Sequence, residues 1–192
     1  MTLVLASTSP QRRAILEQLR IPFTMVAPSY EEHDPPDADP ITLVRSHAEG
    51  KARSVHQGAG AVTLGVDTTV HLNGRLYGKA TDSDDARTML SELSGRTHIV
   101  VSGLCVLGEG FTVIEHEVTR VTFRQLDPVE IDAYLESGEW SGRAGAYAIQ
   151  GFGARLVAGV EGDYLNVVGL PATLLIDTLV VRAPNLLQME EA

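Results

Sequence analysis

Cysteine and long apolar runs are nearly absent from this sequence of 192 residues. Its only cysteine, Cys105, cannot form an internal disulfide bond, and the apolar run around it is typical of a buried core. No apolar run reaches the roughly 18 residues of a membrane-spanning helix. The N-terminus lacks the basic segment and the small-residue cleavage site of a signal peptide. Together these absences favour a cytoplasmic protein that has no membrane partner.

Basic residues are scarce as well, and lysine is the scarcest of them. The sequence has 15 basic residues against 25 acidic ones, and its net charge of −10 disfavours binding to nucleic acid. Lys51 and Lys79 are the only lysines; the other basic residues are arginine. A sequence that otherwise uses arginine indicates a need for a compact ammonium group at those two places. The alternative is that a GC-rich genome accounts for the use of arginine, and that the two remaining lysines have no special role.

The order of the predicted elements indicates an α/β fold with a mixed sheet. With 44% hydrophobic residues, the chain can bury a sizeable core. Segment 28–40, which is rich in proline and acidic residues, is predicted to be a loop. Residues 1–182 are expected to form one domain, and residues 183–192 a C-terminal tail. The predicted strands are 2–7, 23–27, 61–66, 69–72, 75–77, 98–107, 112–123 and 156–160, and the predicted helices are 10–20, 41–56, 83–93, 128–137 and 172–181.

The first predicted helix carries two adjacent arginines where acidic residues are favoured. Ser9 is a suitable N-cap, and Pro10 is a suitable first residue of the helix. Arg12 and Arg13 then lie in the first turn, where the backbone N–H groups carry partial positive charge and further cations are unfavourable. An anion bound at this turn accounts for the arginines. The alternative is that both side chains point into solvent.

Acidic residues follow two predicted elements and suggest chemistry with a metal or a proton. Asp67 comes directly after the predicted strand 61–66, and ligands collect at the carboxyl ends of strands in open α/β sheets. It is therefore a candidate metal ligand or general base, or else a residue of the turn before the next hairpin. Glu31, Glu32 and Asp34 suit a hard cation such as Mg²⁺, or else form a solvated loop. The six histidines show no metal-ligand spacing and are predicted to be structural or surface residues.

Nine short segments occur together in one order between residues 3 and 179. They are LASTSPQRRAIL, SYEE, GKA at 50–52, GVDTTV, GKA at 78–80, LSGRTH, YLESGE, RAGAYAIQGFGA and NVVGLP. This combination resembles the Maf family of nucleoside triphosphate pyrophosphatases. The resemblance implies an elongated mixed sheet with flanking helices, which forms two lobes around a deep cleft as in Maf and inosine triphosphatase proteins. It also implies hydrolysis of a nucleoside triphosphate to the monophosphate and pyrophosphate with Mg²⁺ or Mn²⁺, by a cytoplasmic protein that is often a homodimer.

The resemblance assigns roles to individual residues. Asp67 matches the catalytic acid of the family, described as its proton acceptor, and Glu32 matches an acid associated with metal and substrate. Arg12 matches an arginine of the S-P-R-R run, and both lysines match phosphate-binding positions. The expected phosphate-binding set is Ser9, Arg12, Arg13, Lys51 and Lys79. The positions that select the base fall on Gln11, Thr68 and Gln150.

Two departures from the family pattern concern the substrate. Thr68 and Gln150 fit members that act on dTTP and UTP, whereas Gln11 replaces an arginine of those members; members that act on 7-methyl-GTP fit worse. Arg143 replaces a lysine, which keeps the charge and changes its geometry. One alternative function is a non-catalytic nucleotide-binding regulator of septum formation and cell division, and another is a nucleotidyltransferase. Asp67, Glu32 and both lysines favour an enzyme over the regulator. Turnover with water as the only acceptor would exclude the nucleotidyltransferase.

Overall fold

The computed structural model describes residues 2–35, 38–58 and 60–187. Its strands are β1 (Thr2–Ala6), β2 (Phe23–Val26), β3 (Ala61–Leu72), β4 (Arg75–Tyr77), β5 (Thr97–Gly108), β6 (Phe111–Phe123) and β7 (Val157–Glu161). Its helices are α1 (Pro10–Gln18), α2 (Pro40–Val55), α3 (Ser83–Leu93), α4 (Pro128–Glu136), α5 (Tyr164–Val168) and α6 (Ala172–Arg182), with 3₁₀ helices at Gly151–Leu156 and Pro184–Leu186. Within these ranges, no helix combines the length and the apolar character needed to cross a membrane.

A seven-stranded mixed sheet forms the centre of the molecule. Its strand order is β2-β1-β3-β5-β6-β7, and β4 pairs with the end of β3. Strand β1 runs parallel to β2 and β3, because α1 and α2 supply the crossover connections that parallel strands need. The remaining pairs are antiparallel. The predicted α/β fold with a mixed sheet and flanking helices is confirmed.

Two apolar cores lie at opposite ends of the long strands β3 and β5. The first core joins these strands to β1, α1 and α6, and it includes Val66. The second joins them to β6, α3 and α4, and it includes Val70. Alternate residues of a strand share a face, so the residue between them on that face is Thr68, whose cross-strand partner is Ser102. This polar pair interrupts the apolar row and separates the molecule into two lobes.

Helix α2 packs closely against the opposite face of β3 and β5, because two glycines face it. A Cβ atom on Gly65 would lie 2.1 Å from the carbonyl oxygen of Ala48, and one on Gly103 would lie 2.1 Å from that of Val44. Neither position has room for a side chain. The close approach of helix and sheet places Lys51, on the next turn of α2, over the middle of β3.

Apart from their end residues, the predicted elements agree with the structure except around the centre of β3 and at three short helices. The prediction that this strand stops at Asp67 is wrong, because the strand continues through Thr68 to Leu72. Asp67 and Thr68 keep their ladder positions opposite β5 although their side chains are polar. The sequence analysis does not predict α5 or the 3₁₀ helices, which are too short for a periodic pattern. In the predicted loop 28–40, Pro36 and Asp37 lie outside the described residues.

The predicted tail begins with ordered structure. Pro184–Leu186 forms a 3₁₀ turn directly after α6. The side chain of Leu186 is 5% exposed and packs in the first core, as does Ala183. Residues 188–192 lie outside the described part of the chain.

Candidate active site

The site lies where β3 has a neighbour on one side and a gap on the other. Strand β1 pairs with β3 as far as Gly65, and β4 pairs with it from Val70 onward. Between them, no strand of the described chain covers residues 66–69 on that side. The gap opens into a cleft of about 780 Å³. One wall is the turn between β1 and α1, and the other is the glycine-containing segment 142–151.

Two carboxylates and an ammonium group converge in this cleft. Lys51 Nζ lies 2.6 Å from Asp67 Oδ1 and 2.5 Å from Glu32 Oε1. Lys51 is buried, and the Asp67 side chain is 13% exposed, so water screens their interaction weakly. Burial raises the pKa of Asp67, but the hydrogen bond from His47 and the charges of Lys51 and Arg12 outweigh it and hold that pKa well below its usual range. Asp67 is therefore ionised at neutral pH.

His47 is a site residue that the sequence analysis assigned to structural or surface positions. It lies on α2, one turn before Lys51, so both side chains face β3. Its Nδ1 lies 3.4 Å from Asp67 Oδ2, and its Nε2 lies 3.6 Å from Asp34 Oδ1. The hydrogen bond with Asp67 raises the pKa of His47 above its ordinary value, although burial opposes this effect. The signal available in the sequence was the i, i+4 spacing of His47 and Lys51.

Arg12 reaches across the floor of the cleft from the first turn of α1. Its Nε donates to the carbonyl oxygen of Gly169 at 2.9 Å, and its terminal nitrogens donate to Ser7 Oγ at 3.2 Å and Thr68 Oγ1 at 3.3 Å. Thr68 Oγ1 also lies 2.8 Å from Ser102 Oγ. Burial lowers the pKa of Arg12, and the charges of Asp67 and Glu32 oppose this effect. These contacts hold a guanidinium group beside the polar break between the two cores.

The other residues of the expected site either line the cleft or, in the case of Arg13, point away from it. Ser9 caps α1 by accepting from the backbone N–H of Arg12 at 3.5 Å, and its hydroxyl donates to Gln11 Oε1 at 3.2 Å. Arg13 points away from the cleft, where its exposed side chain pairs with Glu17 at 2.8 Å. The members of the expected set that line the cleft are Ser9, Gln11, Arg12, Glu32, Lys51, Asp67, Thr68, Lys79 and Gln150.

The sequence is similar to a known protein family and to several curated proteins. The family model described as Maf-like protein matches residues 2–181. The chain belongs to the Maf family. The dTTP/UTP pyrophosphatase of Nitratidesulfovibrio vulgaris is 45% identical over 93% of this chain and 87% of that protein. The dTTP/UTP pyrophosphatase of Moorella thermoacetica is 48% identical over 88% of this chain and 89% of its own length.

One more curated protein and one solved structure are similar to this Maf chain. The dTTP/UTP pyrophosphatase of Syntrophomonas wolfei is 40% identical over 97% of the chain and 100% of that protein. Among solved structures, that of the Staphylococcus aureus Ham1 protein aligns with a TM-score of 0.44 and 13% identity, over 64% of this chain and 72% of that one.

Two charged residues of this Maf chain, Arg143 and Glu139, line the cleft although neither belongs to the expected site set. Arg143 lines the second wall, and its Nε is buried without a hydrogen-bond partner among residues 2–35, 38–58 and 60–187. Glu139 lines the same wall and accepts from the backbone N–H groups of Phe152 and Gly153 at 3.0 and 3.1 Å. The sequence offered no spacing signal for Glu139, since its partners lie 13 and 14 residues away.

The Maf cleft combines a possible cation site with several fixed positive charges. One ligand atom each from Glu32, His47 and Asp67 lies within 4.8 Å of the others. Carboxylate oxygens are the ligands that Mg²⁺ and Mn²⁺ prefer. Arg12, Lys79 and Arg143 line the surrounding walls. The arrangement can bind a polyanion, hold a hard cation beside it and present an ionised carboxylate to a water molecule.

Proposed function

We propose that this protein hydrolyses dTTP and UTP to the nucleoside monophosphate and pyrophosphate. The observation that carries the proposal is the carboxylate of Asp67, which is 13% exposed and held by Lys51, inside a cleft lined by Arg12, Lys51 and Lys79. The names of the relatives, which are 40–48% identical to this chain, support the same reaction.

The cations of the cleft are suited to a triphosphate. A nucleoside triphosphate carries about four negative charges at neutral pH, and further charge develops on the leaving pyrophosphate during hydrolysis. We propose that Arg12, Lys51 and Lys79 bind this charge, with Arg143 on the opposite wall. Lys51 takes this role when a substrate phosphate replaces its contact with Glu32, while its contact with Asp67 remains.

Asp67 is the proposed general base. Its carboxylate is held by Lys51 and His47, which orient it and keep it ionised. We propose that it orients a water molecule and accepts its proton while the water oxygen attacks the α-phosphorus. The bond that breaks joins the α-phosphorus to the bridging oxygen, and that oxygen leaves with pyrophosphate.

The carboxylates also fit the divalent ion that the family resemblance implies. Glu32 and Asp67 already converge on a single cation, the Lys51 ammonium, and His47 offers a third ligand atom nearby. We propose that these residues hold Mg²⁺ or Mn²⁺. When bound, such an ion neutralises phosphate charge and lowers the pKa of water.

A direct assay of products tests the proposal. The protein is incubated with dTTP or UTP and Mg²⁺, and both products are separated by ion-exchange chromatography. We expect equal amounts of monophosphate and pyrophosphate, with no acceptor other than water. Release of orthophosphate and the diphosphate would contradict the proposal, and binding without turnover would favour the regulator of septum formation.

Assembly, location and boundaries are proposals that accompany the function. We propose that residues 1–182 form one catalytic domain, that the protein acts in the cytoplasm, and that two copies form a homodimer. Sedimentation of the purified protein checks the last of these. A monomer at micromolar concentration that retains full turnover would contradict the homodimer.

A further inference from the structure

The 3₁₀ helix after Gln150 begins without help from its own N-cap residue. Gln150 occupies the N-cap position, and its side chain makes no capping hydrogen bond. The first N–H groups of such a helix need acceptors, which a side chain at the N-cap normally supplies. Here Glu139 supplies them instead: its two carboxylate oxygens accept from Phe152 and Gly153. Gln150 is exposed and lines the cleft.

We propose that Glu139 is a positioning residue for base selection. By capping the 3₁₀ helix from a distance, it leaves the amide of Gln150 free to form hydrogen bonds with the base of the substrate. The proposal rests on the proposed function, because that function supplies the base. An amide offers both a donor and an acceptor, which a pyrimidine edge can match.

The surroundings of Glu139 hold it in the capping position. Its own backbone N–H donates to Ser137 Oγ at 3.2 Å, just after the end of α4. Gly151 adopts a φ of 67°, and a Cβ atom there would lie 2.6 Å from Glu139 Oε1. A Cβ atom on Gly153 would lie 2.0 Å from the carbonyl oxygen of Ala148. Gly151 therefore lets the backbone pass close to the Glu139 carboxylate, and Gly153 lets it pass close to the carbonyl group of Ala148.

Loss of the Glu139 carboxylate leaves the donors of Phe152 and Gly153 without their acceptor. The carboxamide oxygen of Gln150, at the N-cap position, is then the nearest side-chain acceptor along the chain for these donors. A Gln150 amide drawn to its own backbone no longer faces the base. We therefore expect a change at Glu139 to act through Gln150.

Steady-state kinetics of four variants test this coupling. Glu139→Ala is expected to raise KM for dTTP by roughly tenfold, as the loss of a base contact would, with a much smaller change in kcat. Glu139→Asp, which keeps the charge, should recover part of the loss. Inhibition by inorganic tripolyphosphate, which has no base, should match wild type. Glu139→Ala combined with Gln150→Ala should be no worse than Gln150→Ala alone, because one residue acts through the other.

A control variant at a nearby carboxylate, Glu136, and a measurement of amide hydrogen exchange complete the test. Glu136→Ala removes an exposed charge from the end of α4 and should match wild type in every assay. Amide hydrogen exchange of Phe152 and Gly153 should accelerate in Glu139→Ala and not in Glu136→Ala. Additive kinetic effects, or unchanged exchange, would overturn the proposal. If the wild-type protein turned over no nucleotide, the proposed function would fall, while the exchange rates would still decide whether Glu139 caps the helix.

Discussion

At the scale of single residues, the site depends on a carboxylate whose pKa is held low although its side chain is only 13% exposed. Asp67 has partners in two directions, the Lys51 ammonium on one oxygen and the His47 ring on the other. An isolated buried carboxylate would take up a proton, since burial disfavours its charged form. The partners therefore determine the protonation state on which the proposed chemistry depends.

Asp67→Asn tests the proposed base. The amide keeps the shape of the side chain and cannot accept the proton of water, so kcat should fall by a factor of roughly 10² to 10⁴. Binding of dTTP, measured by calorimetry, should change little. Asp84→Asn on the exposed first turn of α3 is the matched control and should leave kcat unchanged. Unchanged turnover in Asp67→Asn would contradict the assignment.

A second test concerns the pKa of His47 and the way in which the stability of the protein depends on pH. Its pKa is raised above 6.5 by Asp67, with a smaller contribution from Asp34. A raised pKa means that the folded state binds the proton more tightly than the unfolded state. The resulting stability is fully present below pH 6.5 and is lost as the pH rises through the pKa of the folded state.

An NMR titration of the His47 ring checks this prediction. The midpoint should lie above 6.5 in the wild-type protein and should fall in Asp67→Asn, because the partner that raises it has been neutralised. His98 is an internal reference, since burial lowers its pKa to about 4. A His47 midpoint that did not respond to Asp67→Asn would contradict the contact.

Sequence reasoning identified residues at this scale when a short motif carried them. The motifs around Arg12, Lys51 and Asp67 supplied residues that the structure brings into one cleft. His47 was missed because its partner on β3 is 20 residues away, and the i, i+4 spacing to Lys51 places it on the same face of α2 without indicating that contact. Arg13 was expected beside Arg12, yet an adjacent residue on a helix points about 100° away, and its side chain pairs with Glu17.

At the scale of elements, the distance between α2 and β3 controls the site. Gly65→Ala would place a methyl group 2.1 Å from the carbonyl oxygen of Ala48, so the helix must shift. We expect a loss of about 1–3 kcal/mol in the free energy of unfolding. We also expect a lower kcat, because Lys51 moves with α2.

Gly159→Ala is the matched control for this prediction. It lies on β7, where a Cβ atom meets nothing within 4 Å. Urea unfolding and steady-state kinetics of both variants provide the comparison. Equal effects of the two substitutions would contradict the role of close packing between α2 and β3.

The elements themselves were largely predictable, and β3 shows where prediction fails. The caps at Ser9 and Asp127 correctly marked two helix starts, since their side chains bond the first turns. Asp67 was interpreted as the end of a strand because acids are rare within buried strands. Its position is stable only because side chains from α2 neutralise it, which is a tertiary interaction.

At the scale of the whole molecule, the two cores share strands that run through both lobes. β3 and β5 each contribute side chains to the first core and to the second. Unfolding of one lobe would therefore break ladders that support the other. We expect a single cooperative transition, with equal calorimetric and van't Hoff enthalpies. Two separate transitions for the lobes would contradict this expectation.

The gap along β3 has a consequence for behaviour in concentrated solution. An open sheet edge offers unpaired backbone groups to other chains and promotes aggregation. Here the opening spans only residues 66–69, between β1 and β4, and is shorter than the usual strand of about five or six residues. An extended strand from another protein therefore finds too few positions along this gap to form a stable ladder.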